Sequence, residues 1–155
     1  MCEGIEVLKQ GKFAKVNFVS PGARIPVLVE GSDTIEWLPW GRRKKEPGNC
    51  PSGGWARLTT VQAGDWDVLE PLNGWVLAER FNQAVGGRNL QGRRLSKWHE
   101  IPDRAAIKCI VVGEKEERRA YVVTTVPPAI YNSISGRWPV VESVPVFSLS
   151  DKDQS

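Results

Sequence analysis

The sequence predicts an α+β fold: a single domain, mainly antiparallel β, forming an open barrel-like sheet with short peripheral helices. Three observations lead there. Apolar runs are short and rich in β-branched residues, as at 25–29 (IPVLV), 105–112 (AAIKCIVV) and 120–125 (AYVVTT). The last two runs flank a charged turn, which is the pattern of a β-hairpin. No internal repeat and no heptad pattern runs through the chain, so neither a solenoid nor a coiled coil is expected.

Taken in order, residues 4–10 alternate loosely up to Gly11, and 13–19 (FAKVNFV) reads as a strand. Pro21-Gly22 marks a turn. The strand at 25–29 ends at Gly31, and 35–40 is apolar but broken by Pro39. Residues 41–54 are polar, with two prolines and four glycines, and are expected to form a long functional loop. Residues 55–61 (WARLTTV) are β-prone, 63–69 reads as a helical turn or as a connector packing Trp66, and 75–84 as a strand followed by a turn. A glycine-rich loop is expected at 86–92. After the hairpin, Pro127-Pro128 opens a short helix over 129–134, and 137–141 resumes extended structure. The domain is expected to run from 1 to 147, followed by a polar tail at 148–155.

Composition bounds the function. A chain of 155 residues can bury one core. Hydrophobic content of 41% and charged content of 25% are ordinary for a soluble globular protein. No apolar run approaches the ~20 residues that span a bilayer, and no basic-then-apolar leader opens the chain. Cys2, Cys50 and Cys109 form no CxxC pair, and His99 is the only histidine. A zinc site and other cofactors are therefore not expected. Three scattered cysteines fit a reducing cytoplasm. Cys109 sits in an apolar run and reads as a small buried hydrophobe, and Cys50 as inert.

Net charge is only +3, but its distribution is uneven. Gly41-Arg42-Arg43-Lys44-Lys45 is a compact basic run, and Arg88, Arg93, Arg94 and Lys97 form a looser one. Basic clusters among the seven tryptophans suit a phosphate backbone and stacked bases. A solvated charged surface explains either cluster equally well, and most tryptophans are expected in packing roles.

Generic catalytic motifs are missing: there is no GxSxG, P-loop or HExxH. His99 reads as a surface or packing residue rather than a base for a cysteine. Cys2 is different. Trimming of Met1 would leave a free α-amine beside a thiol. The amine can form a Schiff base with an aldehyde, and the thiol can then close a five-membered ring.

An ordered series of fragments supports that chemistry. Met1-Cys2 is followed by Ser20-Pro21-Gly22, Ile25-Pro26-Val27-Leu28, Trp40-Gly41, Ala56-Arg57, Thr59-Thr60 and Ala78-Glu79-Arg80-Phe81. The strand at 120–125, Pro127-Pro128 and Ile134-Ser135-Gly136-Arg137-Trp138-Pro139-Val140 complete it. The series resembles the SOS response-associated peptidase (SRAP) family, also described as abasic-site processing or DNA–protein cross-link proteins. The resemblance covers 1–141. It implies single-stranded DNA as partner, abasic sites as the lesion, and a thiazolidine cross-link formed by Cys2 once Met1 is removed. It implies DNA contacts at Trp40, Arg42, Arg43, Arg57, Arg137, Trp138 and Pro139.

The sequence departs from the family pattern where proton transfer is needed. The family's asparagine falls on Trp55, its glutamate on Gln83 and its histidine on Ser135; the glutamate of the Asn-Ala-Arg-x-Glu motif falls on Thr59, and Gly-Arg after the cysteine has become Glu3-Gly4. Gln83 cannot shuttle protons at neutral pH, and Ser135 cannot without a base beside it. Divergence of this kind fits a phage or mobile-element protein. Two alternatives follow: a degenerate relative that only binds nucleic acid or protein, or a thiol peptidase as the family's name suggests.

Overall fold

The computed structural model describes residues 2–128 and 137–144, with backbone alone at 2, 85–88 and 94. Its strands are β1 (Cys2–Lys9), β2 (Lys12–Asn17), β3 (Arg24–Val29), β4 (Ile35–Pro39), β5 (Trp55–Arg57), β6 (Leu72–Val76), β7 (Arg80–Arg88), β8 (Arg94–Glu100), β9 (Ala105–Val112), β10 (Arg119–Thr125), β11 (Trp138–Pro139) and β12 (Val141–Ser143). One short helix, α1 (Leu58–Gln62), and two single 3-10 turns, Asp67–Leu69 and Lys115–Glu117, lie among them. No helix among the described residues is long and apolar enough to cross a membrane.

The strands form two sheets. The smaller has the order β2-β1-β7-β8, antiparallel throughout. The larger runs β11-β10-β9-β6-β3-β4, with β12 beside β9 and β5 lying parallel to β10. Neither closes into a barrel, as the open, mainly antiparallel expectation requires. The β1–β2 hairpin turns at Gln10-Gly11, both with positive φ, at 52° and 77°. Two successive left-handed residues give the turn whose twist suits a tight hairpin. The predicted hairpin of β9 and β10 is present, with Arg119 opposite Val112.

The main core lies between the sheets. Ile5, Val7 and Phe81 from the small sheet pack with Ile25, Val27, Val76, Ile107, Cys109 and Val122 from the large one. Cys109 is fully buried, as its apolar run predicts. A second cluster covers the opposite face of the large sheet, where Ile110, Val112, Tyr121 and Val123 pack against Leu58, Val61, Trp66 and Leu69. β9 and β10 are therefore covered on both sides, which is why they read as continuous apolar runs. Each fully buried Ile or Val contributes about 1.5–3 kcal/mol.

Several expectations need correction. The stretch at 55–61 is a strand only to Arg57; then α1 begins. Leu58 and Val61 stand three apart, so one turn of helix lays both on the second cluster. Gly86 and Gly87 belong to β7, which leaves only 89–93 as loop. The stretch at 75–84 divides between the end of β6 and the start of β7. β8 was hidden in a basic stretch, because exposed charges on both of its faces obscured its period of two. The helix expected at 129–134, Ser135 and the tail at 148–155 lie outside the described residues.

Residues 41–54 form a braced loop that packs on the large sheet. Arg42 and Gly53 exchange two backbone hydrogen bonds of 3.0 and 2.7 Å. Tyr121 Oη donates to the Pro51 carbonyl. At its base Phe18, Trp40 and Trp55 form an aromatic cluster, with ring centroids 4.7 to 6.0 Å apart. Trp40 Nε1 donates to the Gly54 carbonyl at 2.9 Å. Gly54 is required by packing: a Cβ there would stand 2.5 Å from the Phe18 ring and 2.9 Å from Trp40 Nε1. Both neighbours are rigid rings. Gly54→Ala should therefore lower stability by about 1–3 kcal/mol. Gly11→Ala adds a Cβ that meets nothing within 4 Å but at a φ of 77°, so it should cost about 1–2 kcal/mol through backbone strain alone. Urea midpoints of the two variants check this.

Candidate functional site

The candidate site starts from a register shift at the N-terminus. Glu6 pairs with Arg80, Ile5 with Phe81 and Gly4 with Asn82. Continuing that ladder would set Cys2 opposite Ala84. A bulge between Cys2 and Gly4 instead sets Cys2 opposite Gln83. The register itself is held on the outer face of the sheet. Arg80 donates through Nε and Nη2 to the two Glu6 carboxylate oxygens, at 2.9 and 2.8 Å. Lys15 and Glu100 extend the row on either side, paired in register with Glu6 and Arg80. The hydrogen bonds from Arg80 hold the Glu6 carboxyl below the usual carboxylate range, against the opposing effect of burial. Trp98 stands over this row, with Arg80 and Lys15 at 5.1 and 5.2 Å from its ring.

Gln83 is fully buried. Its Nε2 donates to the Arg137 carbonyl at 2.9 Å. Its Oε1 has no hydrogen-bond partner among the described residues. The amide thus connects β7 to the segment that enters β11. There Trp138 and Pro139 pair with Thr125 and Thr124. On the other side of β10, Arg57 pairs with Thr124.

These pairings bring Arg57 and Arg137 to one cleft of about 280 Å³ at the end of β10. Thr59, Thr124 and Thr125 complete its polar lining, and Leu58 and Val126 its apolar wall. Burial pulls the Arg137 guanidinium below its ordinary pKa, and the charge of Arg57 adds to the effect. Two cations that repel one another with no acid lining the cleft among the described residues favour a bound anion. Thr124 lines the same cleft, and its Oγ1 is buried with no hydrogen-bond partner among the described residues.

Next to this cleft lies an aromatic stack. His99 lies face to face with Phe81 at 5.1 Å, and Trp138 meets both edge-on, at 5.1 and 4.8 Å. His99 is therefore a packing residue, one of the two roles expected for it. Burial pushes its pKa down, and nearby Lys97 pushes it further.

The predicted site residues thus divide. Cys2, Gln83, Arg57 and Arg137 are linked through register, a hydrogen bond and a shared cleft. Trp138 is half-buried and Pro139 buried behind them. Trp55 packs on Phe18 and Trp40, and its buried Nε1 has no hydrogen-bond partner among the described residues. Ser135 and Met1 lie outside the described residues. Trp40, Arg42 and Arg43 do not form the DNA surface expected of them. Trp40 is fully buried and presents no face to a base. Arg42 donates to the carbonyls of Cys50 and Glu46. Arg43 donates to the carbonyls of Phe18 and Trp40, pairs with Glu46 at 2.9 Å, and lies 4.4 Å over the Phe18 ring. Their guanidiniums brace the loop.

Sequence reasoning missed Thr124 as a cleft residue. The signal was the hydroxyl pair ending the apolar run at 120–125. No protein-family model, curated protein or solved structure matches the chain.

His99 generates a pH prediction. Its folded pKa lies below the unfolded value of ~6.5. Above pH ~6.5 it is neutral in both states and costs nothing. Below that pH the unfolded chain takes up the proton first, so stability falls with falling pH. Glu6 and Glu46, also shifted down, add their loss only at more acidic pH. Thermal midpoints should therefore drop between about pH 6.5 and 5, and His99→Phe should flatten that slope.

Proposed function

We propose that the chain binds single-stranded DNA and senses abasic sites, in the manner of the SRAP family it resembles. Cys2 would then form a thiazolidine cross-link once Met1 is removed. The observation that carries this reading is convergence. Cys2, Gln83, Arg57 and Arg137 come from four separate stretches of sequence, and they are joined through one register pair, one hydrogen bond and one cationic cleft.

The chemistry follows from the groups. The Cys2 α-amine attacks the aldehyde of a ring-opened abasic deoxyribose, and loss of one water gives an imine. The thiol sulfur then bonds to the imine carbon, and its proton ends on nitrogen, closing the ring. Arg57 and Arg137 hold a flanking phosphate, with Thr124 as an added hydroxyl partner. Gln83 can accept a hydrogen bond from an ammonium through Oε1, but it cannot take the proton away. Cross-linking is therefore expected to be slow.

The buried neutral amide also supports a second reading: a module that binds single strands through this cleft without covalent chemistry. Intact mass separates the two. Methionine-trimmed protein incubated with uracil-glycosylase-treated single-stranded DNA should gain the oligonucleotide mass less one water. Cys2→Ala should gain nothing. Gln83→Glu, which restores a proton carrier, should speed adduct formation by about 10-fold or more. Salt-dependent binding with no adduct would establish the second reading, and absence of binding would sink both.

A further inference from the structure

We propose that a second cleft, at the opposite end of β1 from Cys2, is a subsite for single-stranded nucleic acid. A base would lie against Trp37, with phosphates on Lys9, Lys15 and Arg24. The inference rests on reading the chain as a single-strand binder, but it draws on different residues.

The cleft has a volume of about 420 Å³, within the range of small-ligand sites. It opens between the β1–β2 hairpin of one sheet and Trp37 on β4 of the other. β2 and β4 are the outermost strands at this side of their sheets. Its floor is apolar, with Val7 and Ala23 buried. Its rim is cationic: Lys9, Lys15 and Arg24 line it, all exposed. No aspartate or glutamate lines it among the described residues. Several other cations are matched by carboxylates, as Arg80 is by Glu6, Arg118 by Glu36 and Lys108 by Glu142. Lys15 does lie across from Glu6, but that carboxylate is held by two hydrogen bonds from Arg80. An open apolar floor under unmatched positive charge is complementary to an anion with an apolar body.

The arrangement of rings narrows that anion to a polynucleotide. Lys9 Nζ lies 5.3 Å from the Trp37 ring centroid. Arg24 Nη1 is held to the Trp37 carbonyl at 3.1 Å, which fixes its position beside the indole. Lys15 both lines the cleft and stands 5.2 Å from the Trp98 ring. Cations and an indole alternate in the cleft, with Lys9 and Arg24 about Trp37, whereas Lys15, opposite Glu6 on the edge strand, reaches the outer face where Trp98 lies. That alternation suits bases stacked on aromatic faces between phosphates held by cations. An acidic peptide would engage the cations but leave the indole unused. Val7 and Lys9 follow Cys2 by five and seven residues along β1, so the two sites stand roughly 17–23 Å apart at ~3.3 Å per residue.

Fluorescence anisotropy of a labelled oligothymidylate tests the proposal. The triple variant Lys9→Gln, Lys15→Gln, Arg24→Gln alters only exposed side chains. It should bind about 10-fold or more weakly, and its salt slope should fall by about 2, at ~0.7 for each phosphate no longer neutralised. Trp37→Phe should bind near the unmodified protein, whereas Trp37→Leu should bind about five-fold more weakly. A separate Arg57→Ala, Arg137→Ala variant reports on the Cys2-side cleft. If the triple variant binds like the unmodified protein while the double variant loses affinity, the subsite is overturned and the proposed function stands. If the double variant is unaffected and the triple variant loses affinity, the subsite stands and the proposed role of Arg57 and Arg137 falls. Equal displacement of the oligonucleotide by polyglutamate of matched charge would overturn the nucleic-acid assignment in favour of an acidic peptide.

Discussion

Ile5 and Val7, both without solvent exposure, can face the core only if β1 lies in one register against β7. A slip by one residue would turn both outward and drive Glu6 inward. The two hydrogen bonds between Arg80 and Glu6 fix the same register from the outer face. Everything at the candidate site depends on that agreement. The ladder runs regularly from Glu6 to Gly4, and the bulge beyond it then sets Cys2 beside Gln83. Gly4 has little room for a side chain, because an added Cβ would lie 3.2 Å from the Val16 carbonyl and would require the exposed Asn17 amide, 2.6 Å away, to turn aside. The small sheet is therefore a frame that delivers the chain's N-terminal strand to one place.

The arginines show why charge runs in a sequence are ambiguous. Arg42 and Arg43 look like the strongest phosphate-binding feature of the chain. In the fold their donors are taken by the carbonyls of Cys50 and Glu46 in their own loop, by those of Phe18 and Trp40 at its base, and by the Glu46 carboxylate. Backbone carbonyls of an irregular loop need donors, and two guanidiniums supply several at once. Arg57 and Arg137, isolated in the sequence, end in one cleft with no acid lining it among the described residues. Lys9, Lys15 and Arg24 likewise converge only because two hairpins meet. What decides a cation's role is whether nearby acceptors already hold it, and that depends on the tertiary fold.

The same reasoning explains how far the fold and site could be read. β3, β9, β10 and their hairpin were legible because both faces of those strands are covered, and two-sided burial writes itself as an apolar run. β8 was not, since exposed charges fall on both faces of this edge strand, Lys97 on one and Glu100 on the other, and hide the inward His99. α1 was misread as strand because its five residues carry too little period to separate 3.6 from 2. Cys2, Gln83, Arg57 and Arg137 were picked out by an ordered resemblance, and only the register joins them. The Trp37 cleft leaves no local pattern, since it is built from strands distant in sequence, and the Thr124-Thr125 pair marks a cleft only once β5 and β11 flank it.

Gln83 bears most directly on what the site can do. A carboxylate buried at this position would face the Arg137 carbonyl, an acceptor it would repel when ionised. Glutamine removes that conflict, since Nε2 can donate where a carboxylate cannot. The amide therefore secures the bridge between the small sheet and the strand carrying Trp138, and it carries no titratable proton. Arg57 and Arg137 are unaffected, because attraction for an anion needs no proton transfer. Attraction for an anion and proton transfer are thus separable here, and Gln83 supplies nothing toward the second. Covalent capture by Cys2 would then rely on the intrinsic reactivity of an aminothiol held close to its target, with little acid–base assistance from the protein.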